Sequence, residues 1–176
     1  TLSNNRPDNA DLSIYSALEF CLWDAMDDAN NFQRNYSVGE VEVVDDVIYH
    51  KTEYRERRDH FAFFACSEKL VGFDTQRDDF LGPYRGWNAP MAVGKGISNN
   101  SVCMGWQPIG SHHVKVTLKP SETKKIIFLL GYQENKQNEK FSPPNSQVIN
   151  KRHVKPVIAK YLKQETVDKA FNALQE

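Results

Sequence analysis

The chain has 176 residues, of which 40% are hydrophobic, 26% charged and 11% aromatic, as is typical of one soluble globular domain and not of a disordered chain. Its 22 basic and 23 acidic residues give a net charge of −1, so no overall field attracts nucleic acid or an anionic membrane. The longest apolar run, around Ile126, is far shorter than a membrane span.

The first predicted elements in chain order are β-strands. LSIYSALEFCLW, residues 12–23, lacks Gly and Pro and predicts a long strand. Residues 24–35 are too acidic and too rich in Asn for a strand and predict a loop or short helix. Two β-rich runs separated by Asp45 and Asp46 predict a hairpin. HFAFFACS, residues 60–67, has apolar side chains on both faces and predicts a central strand.

The middle of the chain shows no sustained periodicity. Residues 74–111 contain six of the nine glycines and three prolines. We expect a long loop there, of the kind that is usually functional or covers another surface. HHVKVTLK then alternates apolar with polar residues, PSE supplies a turn, and KKIIFLLGY forms a doubly apolar strand. Together these segments predict a second hairpin.

The last part of the chain predicts a linker followed by helices. Residues 133–147 have few apolar residues and contain two adjacent prolines, which marks a linker. Pro156 suits the first turn of a short helix, and Thr166 is placed to cap a second helix. The apolar residues of the second helix, at helical spacing, are Val167, Ala170, Phe171 and Leu174. Because nothing in the chain is predicted to cover this stripe, we expect the sequence to be a fragment.

The cysteines predict a compartment. Cys21, Cys66 and Cys103 are far apart, odd in number and form no CxxC pair, which favours reduced thiols over a disulfide framework. The first residues, TLSNNRPDNADLS, have neither the basic nor the apolar region of a signal peptide. We therefore expect a cytoplasmic protein.

Charged residues are densest in HKTEYRERRDHF, residues 50–61, where Arg55, Arg57 and Arg58 stand among acidic residues. Guanidinium groups hold phosphates or sugar hydroxyls through paired hydrogen bonds. Such a run is more commonly a salt-bridged connection between two strands, which needs no ligand. The residues alone leave both interpretations open.

Two groups of carboxylates stand out, in residues 24–28 and 74–79. Paired carboxylates serve glycoside chemistry as acid and base. However, closeness in sequence does not set the facing geometry, and loop aspartates commonly cap helices or form turns. Neither group has the alternation and glycine of an EF-hand calcium loop. The aspartates are Asp24, Asp27, Asp28, Asp74, Asp78 and Asp79.

The sequence predicts no metal site and no cofactor. His50, His60, Cys66 and the pair His112 and His113 never fall at zinc spacing. The single GKG run matches neither the P-loop nor the Rossmann pattern, and the G-x-S-x-G nucleophile motif is missing.

Two loops carry side chains suited to sugars. Tyr84, Trp87 and Trp106 lie in the glycine-rich region, where a flat ring can stack on a sugar face, although such rings also serve as local core under a long loop. NFQR, residues 31–34, combines amide and guanidinium donors that suit hydroxyls. From the residues alone, an exposed, solvated loop is the better description of this segment.

Four unusual strings follow one another: LEFCLWDAMDDANNFQRNYSVGEVEV, VIYHKTEYRERRDHFAFF, GFDTQRDDFLGPYRGWNAP and SNNSVCMGWQPIGSHHVKVTL. In this order they resemble the amino-terminal domain of the cellobiose phosphorylase family, which is related to the chitobiose and cellodextrin phosphorylases. The resemblance runs from about Leu18 to the carboxyl-terminal helices.

The resemblance implies an architecture. Family members have an amino-terminal β-supersandwich, a helical linker, an (α/α)6 barrel with the general acid and phosphate pocket, and a small carboxyl-terminal β piece. We accordingly expect a mainly β chain. Residues 1–149 would be part of an antiparallel β-supersandwich whose amino-terminal half is missing. Residues 150–176 would be a short α-helical linker toward an absent barrel.

The resemblance also implies a reaction and a site. The reaction is inverting phosphorolysis of cellobiose to α-glucose 1-phosphate and glucose, with inorganic phosphate as co-substrate. In the implied homodimer, one amino-terminal domain covers the other subunit's sugar site, and the loop matching NFQR approaches the sugar. Gln33 and Arg34 are therefore the predicted substrate-binding residues, with no catalytic residue in this chain.

Two alternatives stay open. In the first, the chain is a non-catalytic carbohydrate-binding or interaction β-sandwich that never belonged to an enzyme. In the second, which keeps the family, the chain is part of a chitobiose or cellodextrin phosphorylase.

Overall fold

A computed structural model of the chain describes residues 1–20, 39–52, 59–105 and 107–174. The strands in these ranges are β1 (Leu2–Ser3), β2 (Ala10–Glu19), β3 (Gly39–Val44), β4 (Val47–Thr52), β5 (His60–Cys66), β6 (Gly72–Gln76), β7 (Met104–Gly105), β8 (Pro108–Leu118), β9 (Thr123–Lys124) and β10 (Phe128–Glu134). The helices are α1 (Arg77–Leu81), α2 (Met91–Lys95), α3 (Lys155–Tyr161) and α4 (Gln164–Ala173), with a 3-10 turn at Gln137–Glu139. The predicted mainly β class is confirmed.

Two antiparallel sheets form the body of the described structure. The larger has the order β10-β5-β4-β3-β7 and the smaller the order β2-β8-β6, while β1 pairs with β9. Apolar side chains of both sheets meet in one layer, where Ile48 and Phe64 pack with Leu18, and Cys66 packs with Val114. Burial of this layer removes apolar surface from water and holds the sheets together.

The second face of the larger sheet is covered by the carboxyl-terminal segment. Tyr49, Phe61 and Phe63 pack there against Val154 and Ile158. Strand β5 lies between β10 and β4 and buries both of its faces. The predicted central strand is confirmed, for the physical reason that the sequence indicated.

The first predicted hairpin is also confirmed. β3 and β4 pair in register, and Asp45 and Asp46 connect them with φ of 54° and 62°. Positive φ at both central residues suits a two-residue hairpin turn, and Asp tolerates this conformation better than most residues. The predicted strand of residues 12–23 is observed as Ala10–Glu19. The end of the predicted strand, residues 21–23, and the predicted loop at residues 24–35 lie outside the described residues.

The second predicted hairpin is wrong. β8 pairs with β2 and β6, whereas β10 pairs with β5 in the other sheet. The predicted turn exists, since Glu122 N donates to Lys119 O at 3.0 Å. A turn signal shows where a chain changes direction but not which strand it joins next. One local determinant of the actual pairing is Gly131, where any Cβ would collide with the ring of Phe63.

The predicted long loop at residues 74–111 is also wrong. Most of β6, α1, α2, β7 and the start of β8 fall in this region. The elements escaped prediction because most have only two to five residues, which is too short for a period of 2 or 3.6 to show.

The two carboxyl-terminal helices are observed, with Pro156 in the first turn of α3. The predicted cap is wrong, because Lys163 is the N-cap of α4. Thr166 N donates to Lys163 O at 3.1 Å, which places Thr166 inside the first turn. The helix thus restarts directly after α3, before the threonine is reached.

An apolar groove of about 530 Å³ lies between α4 and residues 125–129. Phe171 and Leu174 of α4 are 64% and 82% exposed, and Leu130 and Tyr132 on β10 are also exposed. We call these residues the open apolar face. The predicted apolar stripe of α4 therefore belongs largely to the surface of the described structure.

Candidate functional site at one end of the sheets

Described residues that flank the three internal undescribed segments come together at one end of the sheets. Gly39, the first residue of β3, pairs with both Thr52 and Gly105. Phe20 stacks on His50 of β4 with ring centroids 4.8 Å apart. We call this region the junction end. The segments with Gln33 and Arg34, with Arg55, Arg57 and Arg58, and with Trp106 lie outside the described residues, and their flanking residues are at this end.

Arg77, at the start of α1, links three elements at the junction end. Its Nη1 donates to Gln107 Oε1 at 3.0 Å, and its Nε lies 3.1 Å from Glu19 Oε1 at the end of β2. Its Cζ lies 5.9 Å from the centroid of the Trp87 ring. A guanidinium group held from three sides has little rotamer freedom left to lose when it binds a ligand.

A pocket of about 310 Å³ opens beside Arg77. Its walls come from the end of β6, the start of α1 and the chain around β7. Its lining residues are Gln76, Arg77, Asp78, Cys103, Met104 and Gln107. Burial raises the pKa of the Cys103 thiol, which therefore stays neutral at pH 7. The pocket thus combines charged and amide groups with neutral sulfur-containing side chains.

Comparison with known families identifies the chain. The model of the glycosyl hydrolase 94 supersandwich domain matches residues 1–164. The chain belongs to this family. The β-supersandwich fold that the resemblance implied is thereby confirmed for this supersandwich chain.

Curated relatives of the supersandwich chain are phosphorylases. The N,N′-diacetylchitobiose phosphorylase of Vibrio proteolyticus is 32% identical over 124 residues, which are 68% of this chain and 15% of that protein. The solabiose phosphorylase of Paenibacillus borealis is 27% identical over 133 residues, 74% of this chain and 17% of that protein. The N,N′-diacetylchitobiose phosphorylase of Vibrio furnissii is 26% identical over 168 residues, 94% of this chain and 19% of that protein. The supersandwich chain thus spans less than a fifth of the length of these relatives.

The predicted carboxylates occupy different environments in the supersandwich chain. Asp74 is fully buried and accepts hydrogen bonds from Asn99 N (3.0 Å), Ser101 N (3.3 Å) and Ser101 Oγ (2.9 Å). Burial raises the pKa of Asp74, and these hydrogen bonds oppose the rise. Asp74 thus has a structural role, tying residues 99–101 to β6. Asp78 and Asp79 lie in the first turn of α1, and residues 24–28 lie outside the described residues.

Two histidines that the sequence placed in no site are buried between the sheets. His50 stacks on Phe20, and His112 stacks on Phe64 at 4.3 Å between ring centroids. Burial lowers the pKa of His50 to about 3 and that of His112 to about 4. Both imidazoles are therefore neutral at pH 7. For His112 the sequence signal was present, because it is in phase with the buried Val114 and Val116 of the alternating segment of β8. His50 lies in a strand that is buried on both faces, so alternation gives no signal there.

Other candidate side chains are spread over the supersandwich chain. Ser13 Oγ and His113 Nε2 are 2.6 Å apart on the outer face of the smaller sheet. Across the described ranges, no three His, Cys, Asp or Glu side chains gather as metal ligands do. Tyr84 is fully exposed, with φ of 59°, so its ring is not local core. Trp87 is 40% exposed and packs on Phe80.

Proposed function

We propose that this supersandwich chain is part of an inverting glycoside phosphorylase that converts cellobiose and inorganic phosphate to α-glucose 1-phosphate and glucose. The observation that carries the proposal is the family match over residues 1–164. The phosphorylase names of the relatives support the reaction class. Cellobiose rests on the sequence resemblance. N,N′-diacetylchitobiose, solabiose and cellodextrins are the alternative substrates.

In the proposed reaction, phosphate attacks the anomeric carbon while an acid protonates the leaving oxygen. Phosphate thereby replaces both the water and the base of an inverting hydrolase. The general acid and the phosphate pocket are assigned to parts of the enzyme outside this chain. The role proposed for the chain is to support a homodimer and to cover the sugar site.

The proposed enzyme is cytoplasmic and uses phosphate as a co-substrate without a further cofactor. Cys66 and Cys103 are buried free thiols, as suits a reducing compartment. No helix in the described ranges is both long enough and apolar enough to span a bilayer.

The isolated 176-residue chain should release no glucose 1-phosphate from cellobiose and phosphate, because the proposed acid and phosphate pocket belong to the rest of the enzyme. The measurement is a coupled glucose 1-phosphate assay, with the full-length enzyme run beside it on cellobiose, N,N′-diacetylchitobiose and solabiose. Release by the isolated chain above a buffer blank would contradict the assignment. No phosphorolysis of any of these disaccharides by the full-length enzyme would overturn the proposed function.

Within the full-length enzyme, we propose that Gln33 and Arg34 bind sugar hydroxyls from the neighbouring subunit. Support comes from the resemblance of NFQR and from the position of Phe20 and Gly39, the described residues that flank this segment, at the junction end beside the pocket.

Arg34→Ala should lower kcat/KM by roughly tenfold to a few hundredfold. An arginine there donates charge-assisted hydrogen bonds, worth about 1.5 to 3 kcal/mol, and about 1.4 kcal/mol is one factor of ten. Gln33→Ala should act in the same direction. The measurements are steady-state kinetics, melting temperature and dimer mass for each variant.

The matched control is Arg6→Ala, which removes an exposed arginine near β1. It should change the free energy of activation by less than about 0.5 kcal/mol. Unchanged kinetics for Arg34→Ala in a folded dimer would return Arg34 to the solvated surface. A dissociated but folded Arg34→Ala protein would assign the residue to the subunit interface instead.

The isolated chain should also bind a hydrophobic fluorophore and self-associate, because the open apolar face has no cover among the described residues. Replacing Phe171 and Leu174 with serine should reduce both effects. Val93→Ser, at an exposed valine of α2, is the control and should leave them unchanged. A monomer that melts cooperatively without dye binding would contradict this prediction.

A further inference from the structure

We propose that the pocket at the junction end binds one pyranose ring of a neutral sugar, through residues other than Gln33 and Arg34. The inference rests on the proposed function only for the choice of sugar and needs no catalysis. It is carried by the hydrogen-bonding groups, the charge and the size of the pocket.

The pocket presents polar groups that the protein leaves available. The side chains of Gln76 and Asp78 make no hydrogen bond or ion pair with another described residue, although both line the pocket. Arg77 uses Nε toward Glu19 and Nη1 toward Gln107, and its Nη2 has no partner in the described ranges. A carboxylate that accepts, a guanidinium that donates and an amide that does both match the hydroxyl groups of a sugar.

The charge of the pocket favours a neutral ligand. The guanidinium group of Arg77 faces two carboxylates, Asp78 in the lining and Glu19 at 3.1 Å. Among the described residues, two negative charges thus surround one positive charge, which opposes a phosphate or another anion. A cationic ligand placed against the guanidinium group of Arg77 is repelled by it. The hydroxyl groups of a neutral sugar carry no net charge and are repelled by neither kind of group.

The size and the remaining wall fit one sugar ring. A volume of about 310 Å³ is at the small end of ligand pockets, which span about 300 to 1,000 Å³. Met104 is 81% exposed and offers an apolar surface to the C–H face of a ring. Gly105 and Gln107 have φ of 136° and 53°. Together with the contacts of Arg77, this backbone shapes the pocket before any ligand binds.

Saturation-transfer difference NMR on the 176-residue chain tests the proposal, and because it observes the ligand it tolerates self-association of the protein. The probes are D-glucose and N-acetyl-D-glucosamine, with the open-chain polyol sorbitol for comparison. We expect transfer to the ring protons of at least one sugar, with a Kd of about 1 mM, typical of one small polar ligand, and none to sorbitol.

Two variants locate the binding. Asp78→Asn and Gln76→Ala should each weaken sugar binding at least about fivefold, the loss of roughly one hydrogen bond. Both should keep the circular dichroism spectrum, because these side chains bond to no other described residue. Asp79→Asn is the matched control, one residue along in the same helix turn and outside the lining. It should leave binding unchanged.

Several results would overturn the pocket. These are no transfer to either sugar, equal transfer to sorbitol, displacement of the sugar by inorganic phosphate, or Asp78→Asn binding as the unmodified chain does. None of these results concerns glucose 1-phosphate release by the full-length enzyme, so the failure of the pocket and the failure of the proposed function are read separately.

Discussion

Lowering the pH from 7 to 4 should destabilise this domain severely and unfold it by about pH 3. The pKa of His50 is about 3 and that of His112 about 4 in the folded state, against 6.5 for an exposed histidine. Below pH 6.5, His50 and His112 therefore bind protons in the unfolded chain but stay neutral in the folded chain. Stability is full above this pH and falls as the pH drops toward 3.

The expected loss is comparable to the whole stability of a domain. Each pKa unit corresponds to about 1.4 kcal/mol, so the two histidines together remove on the order of 8 kcal/mol by pH 3. Domains of this size are stable by about 5 to 15 kcal/mol. Asp74 acts in the opposite direction, since its raised pKa favours the folded state on protonation, but it is one group against two.

Far-UV circular dichroism against pH measures this effect. His50→Leu and His112→Leu keep an apolar side chain between the sheets, remove the titration, and should each move the unfolding midpoint to lower pH. His153→Leu, at an exposed histidine, should leave the midpoint unchanged. An unmoved midpoint in both buried variants would show that other groups control acid unfolding.

Asp74→Ala should lower the free energy of unfolding by about 3 to 5 kcal/mol. The substitution leaves Asn99 N and Ser101 N without their acceptor, and each hydrogen bond to a charged group is worth about 1.5 to 3 kcal/mol. Urea denaturation followed by circular dichroism gives the difference.

The control for this experiment is Asp79→Ala. It removes a carboxylate from the first turn of α1, where the helix dipole makes an acidic side chain worth at most about 1 kcal/mol. If the two variants lost equal free energy of unfolding, the hydrogen bonds of the buried Asp74 would contribute no more than a surface carboxylate does.

Strands could be predicted from the sequence more reliably than their partners. The hairpin of β3 and β4 depends on a turn at Asp45 and Asp46, which is local information. β8 and β10 were both recognised by alternation and apolar content, yet each pairs with a strand distant in the chain. Such pairings depend on how well side chains of the two strands pack together, as where Gly131 leaves room for the ring of Phe63. Packing between residues distant in the chain leaves no pattern in the local sequence.

The candidate site shows the same limit. Gln33 and Arg34 were found through a family resemblance and lie outside the described residues. The contact of Arg77 with Gln107 has no signal in the sequence, because the two residues are thirty positions apart and are brought together by the pairing of β6 with β8. Asp74 was noticed as a carboxylate, but its burial depends on the course of residues 99–101. Composition indicates which groups are present and leaves their surroundings open.

The pairing of β2 with β8 has a consequence for how the protein is made. Glu19 faces Ile109 and Ala10 faces Leu118, so β2 pairs with β8 only after the ribosome has added ninety or more residues. At about 5 to 20 residues per second, this interval lasts roughly 5 to 20 s. The β3–β4 hairpin, in contrast, joins neighbouring strands, and hairpins of this kind form within about 10 μs. Until β8 emerges, the backbone groups of β2 on that side are open to pairing with another strand, which is the hazard that chaperones reduce.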